Sequence, residues 1–207
     1  MTTDIDYRIG VPEYLREEAA GLYDDAFAGK FAVAIKDQKK RRRVLAEAFM
    51  LEYAVSATAG ETLVGLAGFH TAQGALTHGM TAGLLFAHLG VPAGLRAAVV
   101  FSLYARHPQA SELLMDGIAV RPGMRGKGVG TRLLDELKRF AGDNGYTRIR
   151  LDVIETNPAA RRLYERQGFV PIRTERFGWL RGLLGFGAST TMVYALEPDR
   201  PAHLPPA

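Results

Sequence analysis

The residues of this chain best placed to do chemistry lie in one run, Ile118-Ala119-Val120-Arg121-Pro122-Gly123-Met124-Arg125-Gly126-Lys127-Gly128-Val129-Gly130-Thr131. An apolar strand end enters a glycine loop, and the loop opens a helix. The first amides of a helix have no intrahelical acceptor, and the helix dipole adds about half a positive charge there. Such a start suits a phosphate or diphosphate. Gly126, Gly128 and Gly130 would let it approach without a Cβ in the way, and Arg125 and Lys127 add cationic side chains. A Walker loop needs a different glycine spacing followed by Gly-Lys-Ser/Thr, and a dinucleotide fingerprint needs Gly-x-Gly-x-x-Gly; neither is present. A glycine turn without a ligand is the bland alternative. Just upstream, Asp116 sits in the apolar strand Leu113–Val120 on the alternation of Leu114, Ile118 and Val120. A carboxylate there needs a partner or its pKa rises, which would suit a general base.

These residues must be positioned by elements that the patterning outlines. Tyr7–Val11 is a short strand. A helical stripe of Leu15, Ala19, Leu22, Tyr23 and Phe27 follows Pro12, and helical spacing resumes at Val44, Leu45, Ala48 and Phe49. Tyr53–Thr58 and Thr62–His70 form a hairpin across Ala59-Gly60-Glu61. The stretch 79–106 is apolar but broken by Gly83, Gly90, Pro92, Gly94 and Arg96. It reads as two short packed helices rather than a membrane span of about 20 residues. From Leu113 the order becomes strand (Leu113–Val120), helix (Val129–Asn144, closed by Gly145), strand (Arg148–Ile154), helix (Pro158–Gln167), then strands Phe169–Glu175 and Thr190–Leu196. The expectation is one domain over residues 1–197 with an apolar insertion at about 79–106 and a flexible proline-rich tail, 198–207.

Arg125-x-x-Gly128-x-Gly130 after a strand ending in Val120 resembles the acetyl-coenzyme A signature of the Gcn5-related N-acetyltransferases (GNATs). Asn157-x-x-Ala160-x-x-x-Tyr164-x-x-x-Gly168-Phe169 is similar to that superfamily's second motif, in the right order. The resemblance is good from about Leu113 to Phe169. It implies a central mixed, mostly antiparallel sheet of about seven strands, flanked by helices and split by a V-shaped splay between the strands of Val120 and Arg148. It also implies an acetyl-CoA co-substrate, with the pantetheine arm on the strand residues Ile118, Ala119 and Val120 and the diphosphate on the loop and helix start: Arg125, Gly126, Lys127, Gly128, Val129, Gly130 and Thr131. Asn157 would touch the pantetheine or cap the helix at Pro158; either role is good physics. Tyr164 stands at the family's usual acid position, where a phenol can donate to the leaving thiolate. Asp152 occupies a place where some members carry a glutamate base, so Asp152 and Asp116 are both candidates, with Glu112 and Glu155 near strand ends behind them. His70 ends the second hairpin strand and could face the acceptor, but a lone histidine more often serves structure and is assigned no role.

Composition narrows the remaining readings. The 207 residues hold 26 Lys+Arg and 22 Asp+Glu, net +4, and the run Lys36–Arg43 alone holds six cations against Asp37. The remainder is therefore close to neutral, which argues against a nucleic-acid surface spread over the domain, and the run reads as a solvated helix face. No cysteine is present, excluding disulfides, thiolate metal sites and an acetyl-cysteine intermediate. Histidines at 70, 78, 88, 107 and 203 lack metal-ligand spacing, so no metal is expected. The start Met1–Asp6 has no basic or apolar run, so a cytoplasmic protein without a signal peptide is expected. The leading expectation is an acetyl-CoA-dependent N-acetyltransferase moving acetyl to a small-molecule or peptide primary amine by direct attack. An acetyl-CoA-binding sensor without transferase activity is the alternative. The apolar segments 79–106 and 177–186 would line an acceptor pocket or make a homodimer contact; no membrane partner is expected.

Overall fold

The computed structural model describes residues 4–103, 106–178 and 185–196. The expected tail, 198–207, and residues 179–184 of the apolar segment 177–186 lie outside the described residues. The strands are β1 (Asp6–Ile9), β2 (Ala54–Ala59), β3 (Thr62–His70), β4 (Glu112–Val120), β5 (Arg148–Ile154), β6 (Val170–Arg176) and β7 (Ala188–Ala195). They form one sheet in the order β1-β2-β3-β4-β5-β7-β6. Every neighbouring pair is antiparallel except β4–β5, so the expected mixed, mostly antiparallel sheet of seven strands is present.

Six helices accompany it among the described residues: α1 (Arg16–Ala34), α2 (Gln38–Ala48), α3 (Ala82–Leu89), α4 (Val91–Ser102), α5 (Val129–Asp143) and α6 (Pro158–Arg166). One sheet face packs on α5, whose Val129, Leu133, Leu134, Leu137 and Ala141 are buried at the spacing the sequence shows. The other face receives α1 through Leu15, Ala19, Leu22 and Tyr23 against Leu63, Leu66 and Ala119. The apolar stretch from Gly79 does form two short helices. Leu85, Ala97 and Val100 pack on Ala34, Ile35 and Val44, while Val91, Leu95, Val99 and Leu103 stay exposed at four-residue spacing along α4. No helix among the described residues is long and apolar enough to cross a membrane.

The basic run departs from a simple solvated face. Helix α2 begins inside it at Gln38, capped by Asp37 Oδ1 accepting from Lys40 N–H (2.9 Å). Arg41 turns inward, only 4% exposed, and its Nε donates to Asp24 of α1, which is fully buried. Arg42 bridges Asp24 and Asp25. Two of the six cations thus join α2 to α1, because Arg41 falls on the helix face that Val44, Leu45 and Ala48 bury.

Two irregularities prepare the site. Strands β4 and β5 pair only from Glu112↔Arg148 to Met115↔Leu151 and then diverge, leaving Asp116–Val120 and Asp152–Ile154 without each other. The divergence begins at a bulge: β3 pairs Gly68 with Gly117 and Phe69 with Met115, so Asp116 is the extra residue. Opposite the bulge, α1 breaks helical geometry at Phe27 (φ −120°, ψ 19°). A Cβ on Gly117 would lie 2.4 Å from Phe27 Cζ, so only glycine lets the kinked helix come this close.

Candidate functional site

The bulge changes which way the β4 residues face. Strict alternation would place Asp116 with Ile118 and Val120. Instead Leu113 and Met115 belong to the α5-side core, Gly117 abuts Phe27 of α1, Ile118 and Val120 pack toward the α5 side, and Ala119 joins the α1 side. Asp116 is therefore released from the apolar face expected for it, because one inserted residue reverses a period of two.

The freed carboxylate meets His70. His70 Nε2 and Asp116 Oδ2 lie 2.6 Å apart, with side chains 18% and 15% exposed. Their alignment falls short of hydrogen-bond geometry, and neither buried atom has another hydrogen-bond partner. The pair is thus a short, incompletely satisfied contact, the kind of arrangement found where a proton or ligand is to be accepted. Register places His70 opposite Leu114, so no sequence spacing signals the contact; only the bulge creates it. His70 is the residue that sequence reasoning left unassigned. Tyr23 is close enough that the Asp116 charge adds to burial in pushing its phenol well above the ordinary tyrosine value.

His70, Asp116 and Gly117 line a cavity of about 930 Å³ together with Asn157, Ala160 and Tyr164 from the α6 side. Tyr164 is buried, its ring against Phe169. Burial alone pushes its phenol far above the usual 10.0, so it remains a neutral donor across the physiological range. The sign of the pH effect follows. Both Tyr23 and Tyr164 bind their protons more tightly folded than unfolded, so their stabilisation is complete below pH 10 and is lost as pH rises above it. Urea unfolding at pH 9, 10 and 11 should show stability falling across that range. Tyr164→Phe is expected to remove about 1.4 kcal/mol of the fall between pH 9 and pH 11; an unchanged fall would count against a buried, neutral phenol.

Asn157 caps α6, its Oδ1 accepting from Ala160 N–H (3.1 Å), while also lining the cavity. Asp152 lines the same cavity, yet its oxygens are engaged. Thr191 Oγ1 donates to Oδ1 (2.6 Å), and Arg106 Nε is 3.7 Å from Oδ2. The two reserve carboxylates serve structure: Glu112 is buried between Arg148 (2.9 Å) and Arg150 (3.3 Å), and Glu155 Oε1 accepts from Gly187 N–H. Among the described residues no cluster of three His, Asp or Glu could hold a metal.

The glycine loop lies at the other end of the splay. Arg121 N–H donates to Val64 O, and bonded residues of an antiparallel pair recur every second position. Ala119 and Gly117 therefore direct their backbone groups to β3, whereas Ile118 and Val120 turn theirs into the splay. Of the strand trio, Ala119 is thus separated from the other two. Arg125 Nε donates to Val120 O (3.1 Å), tying the loop to the strand end. Gly128, in the left-handed region (φ 81°), is the N-cap of α5, without a side-chain cap and with no acidic residue in the first turn. The first α5 bond is Arg132 N–H to Gly128 O, so the amides of Val129, Gly130 and Thr131 have no intrahelical acceptor. The three glycines differ in purpose. Gly126 and Gly128 have positive φ with open space around them, while a Cβ on Gly130 would press on Leu163 of α6 at 3.2 Å. An uncapped helix start, two strand residues whose backbone faces the splay and the open cleft between β4 and β5 suit a phosphate on an extended arm.

Comparison with known proteins agrees with this architecture. The model of the acetyltransferase (GNAT) family matches residues 20–169. A thialysine N-epsilon-acetyltransferase of Bos taurus is 33% identical over 67 residues, which is 32% of this chain and 39% of that protein, so the matched segment spans well under half of the relative's length. The structure of a GCN5-related N-acetyltransferase from Kribbella flavida superposes with a TM-score of 0.62 at 18% identity, covering 93% of this chain and 98% of the other. The PaiA N-acetyltransferase from Thermoplasma acidophilum, solved with coenzyme A, gives 0.56 at 15% identity over 93% and 99%. At these identities the structural likeness is one of fold.

Proposed function

The chain belongs to the GNAT acetyltransferase family, and from that premise we propose that it is an acetyl-CoA-dependent N-acetyltransferase. In this reading acetyl passes directly to a primary amine in a ternary complex, and residues 1–197 act as one catalytic unit. The observation that carries the reading is that one cavity brings the His70–Asp116 pair and the Tyr164 phenol to the point where β4 and β5 part.

The roles follow from chemistry. The amides of Val129, Gly130 and Thr131, with Gly126, Gly128, Lys127 and Arg125 around them, hold the diphosphate. Ile118 and Val120 bond the pantetheine arm as an added strand, and Asn157 orders the turn beside it. An alkylammonium of pKa about 10.4 must lose a proton before it can attack. The His70 imidazole accepts that proton, and the Asp116 carboxylate beside it stabilises the imidazolium. As the N–C bond forms and the C–S bond breaks, the Tyr164 phenol donates a hydrogen bond to the departing sulfur; the His70 imidazolium returns its proton to that thiolate through solvent, and the second proton on nitrogen leaves to water as the amide forms. Burial makes full transfer from this phenol uphill, so its contribution is a strong hydrogen bond to the developing thiolate. Asp152, already bound by Thr191 and Arg106, orients the amine at the cavity rim.

The test is release of CoA thiol with a panel of primary amines. Turnover with acetyl-CoA is expected, and Tyr164→Phe should lower kcat about 100-fold, the low end for one acid–base group. Wild-type kcat in that variant would remove Tyr164 from the mechanism. Acetyl-CoA binding with no amine turned over would instead favour the sensor reading.

A further inference from the structure

The cavity extends well past the reacting groups. Beyond His70 and Asp116 it runs between α1 and the α3–α4 pair, walled by Phe27, Phe31, Met80, Leu85 and Phe101. These form a joined apolar surface: Phe31 and Leu85 are buried, and the rings of Phe27, Tyr23, Phe31 and Phe101 follow one another in that order at 4.5–5.8 Å. Phe177 and Phe186, stacked edge-on at 5.5 Å, line it from the far side. The insertion carrying α3 and α4 thus builds an apolar chamber onto a site whose reacting end is polar.

From this we infer that the acceptor is an amphiphilic monoamine. Its amino group sits at His70–Asp116, and an alkyl or aromatic body fills the chamber between Phe27, Phe31, Met80, Leu85 and Phe101. This rests on the transferase reading and names its substrate class. The decisive comparison is of what the chamber offers each kind of amine. The carboxylates lining the cavity are Asp116 and Asp152, both at the reacting end. The lining also includes Thr77, His78 and Ser102, but no carboxylate beyond those two, so the further ammonium groups of a polyamine, a free diamino acid or an aminoglycoside would enter without a counter-charge, and unpaired buried charge is strongly disfavoured. An apolar body gains instead with every carbon removed from water, about fourfold in affinity per buried methylene.

The experiment measures kcat/KM for CoA release by the full chain with ethylamine, butylamine, hexylamine, phenethylamine, spermidine, lysine and an alanyl peptide. In parallel, calorimetry measures binding of the same amines to the protein loaded with CoA. The expected result is a rise of about fourfold per methylene from ethylamine to hexylamine, with spermidine, lysine and the peptide at least about 100-fold below hexylamine. In Phe101→Ala the hexylamine-to-ethylamine ratio should fall about tenfold, and Met80→Gln, which keeps the side-chain length, should lower the same ratio. Preference for spermidine, lysine or the peptide, or no dependence on chain length, overturns the inference while leaving the transferase reading in place. Chain-length-dependent binding without CoA release upholds the chamber and removes the transferase reading. Absence of both binding and release overturns the inference.

Discussion

His70→Gln is expected to lower kcat/KM for an alkylamine about 1000-fold at pH 7.4, and the deficit should shrink about tenfold for each pH unit towards 9.4. The size follows from the substrate. An ammonium of pKa about 10.4 leaves roughly one molecule in 1000 neutral at pH 7.4; a base that lets the abundant ammonium enter and takes its proton as the N–C bond forms can recover at most about that factor, within the range for one acid–base group. As bulk water takes over deprotonation, the base matters less. Asp116→Asn should cost less, about 10- to 100-fold, because it weakens the imidazolium without removing the imidazole. The double variant should be little worse than His70→Gln alone, since two groups acting as a unit are not additive. The basis is the 2.6 Å contact between two buried atoms that have no other hydrogen-bond partner. A deficit that stays constant from pH 7.4 to 9.4 would assign the pair a structural role. An amine whose conjugate acid titrates below pH 7 offers a second check: with it the His70→Gln deficit should largely vanish.

The second large effect concerns stability. Asp24→Ala is expected to destabilise the protein by about 3–5 kcal/mol, lowering Tm by about 6–20 °C for a chain of this size. Asp24 is fully buried and accepts from Arg41 Nε and Nη2, the latter at 3.1 Å, while Arg41 Nη1 donates to Ile35 O at 2.9 Å. Removing the carboxylate leaves the guanidinium buried with carbonyls alone. Replacing both partners, Asp24→Leu with Arg41→Met, should recover most of the loss, because the desolvation of two charges disappears along with their attraction. Thermal unfolding of the two variants distinguishes these cases; a single variant within 1 kcal/mol of wild type would mean that water reaches Arg41. The effect bears on the site, since Asp24 lies between Tyr23 and Phe27 on the helix that walls it.

Much of the glycine-loop end was legible in the chain. Glycine at 128 before an apolar heptad-like stripe, and Asn157 before Pro158, are local signals, and their consequences are local: a left-handed N-cap and a side-chain cap. The motifs around Gly128 and Tyr164 lie about 36 residues apart in sequence, and the short elements between them leave little freedom in how they meet. The end of the cavity around His70 and Asp116 was far less legible. Asp116 was read on the alternation of a regular strand, where it would have faced the same side as Ile118 and Val120. His70 looked like one histidine at a strand end, and Arg41 like one charge of a solvated run.

What the sequence by itself determined, then, was the order and period of the elements, the phosphate-ready helix start and the family. All depend on residues within a few positions of each other, where backbone geometry leaves few choices. Tertiary structure alone decided which groups line the cavity beside the splay. The bulge at Asp116 lies where β3 and β4 pass a kinked α1, whose Phe27 ring occupies the space a Cβ on Gly117 would fill. That single insertion reverses the alternation, sets Asp116 against a histidine 46 positions earlier and opens the splay. A contact so distant in the chain, made by one displaced residue, leaves no periodicity behind it for the sequence to display.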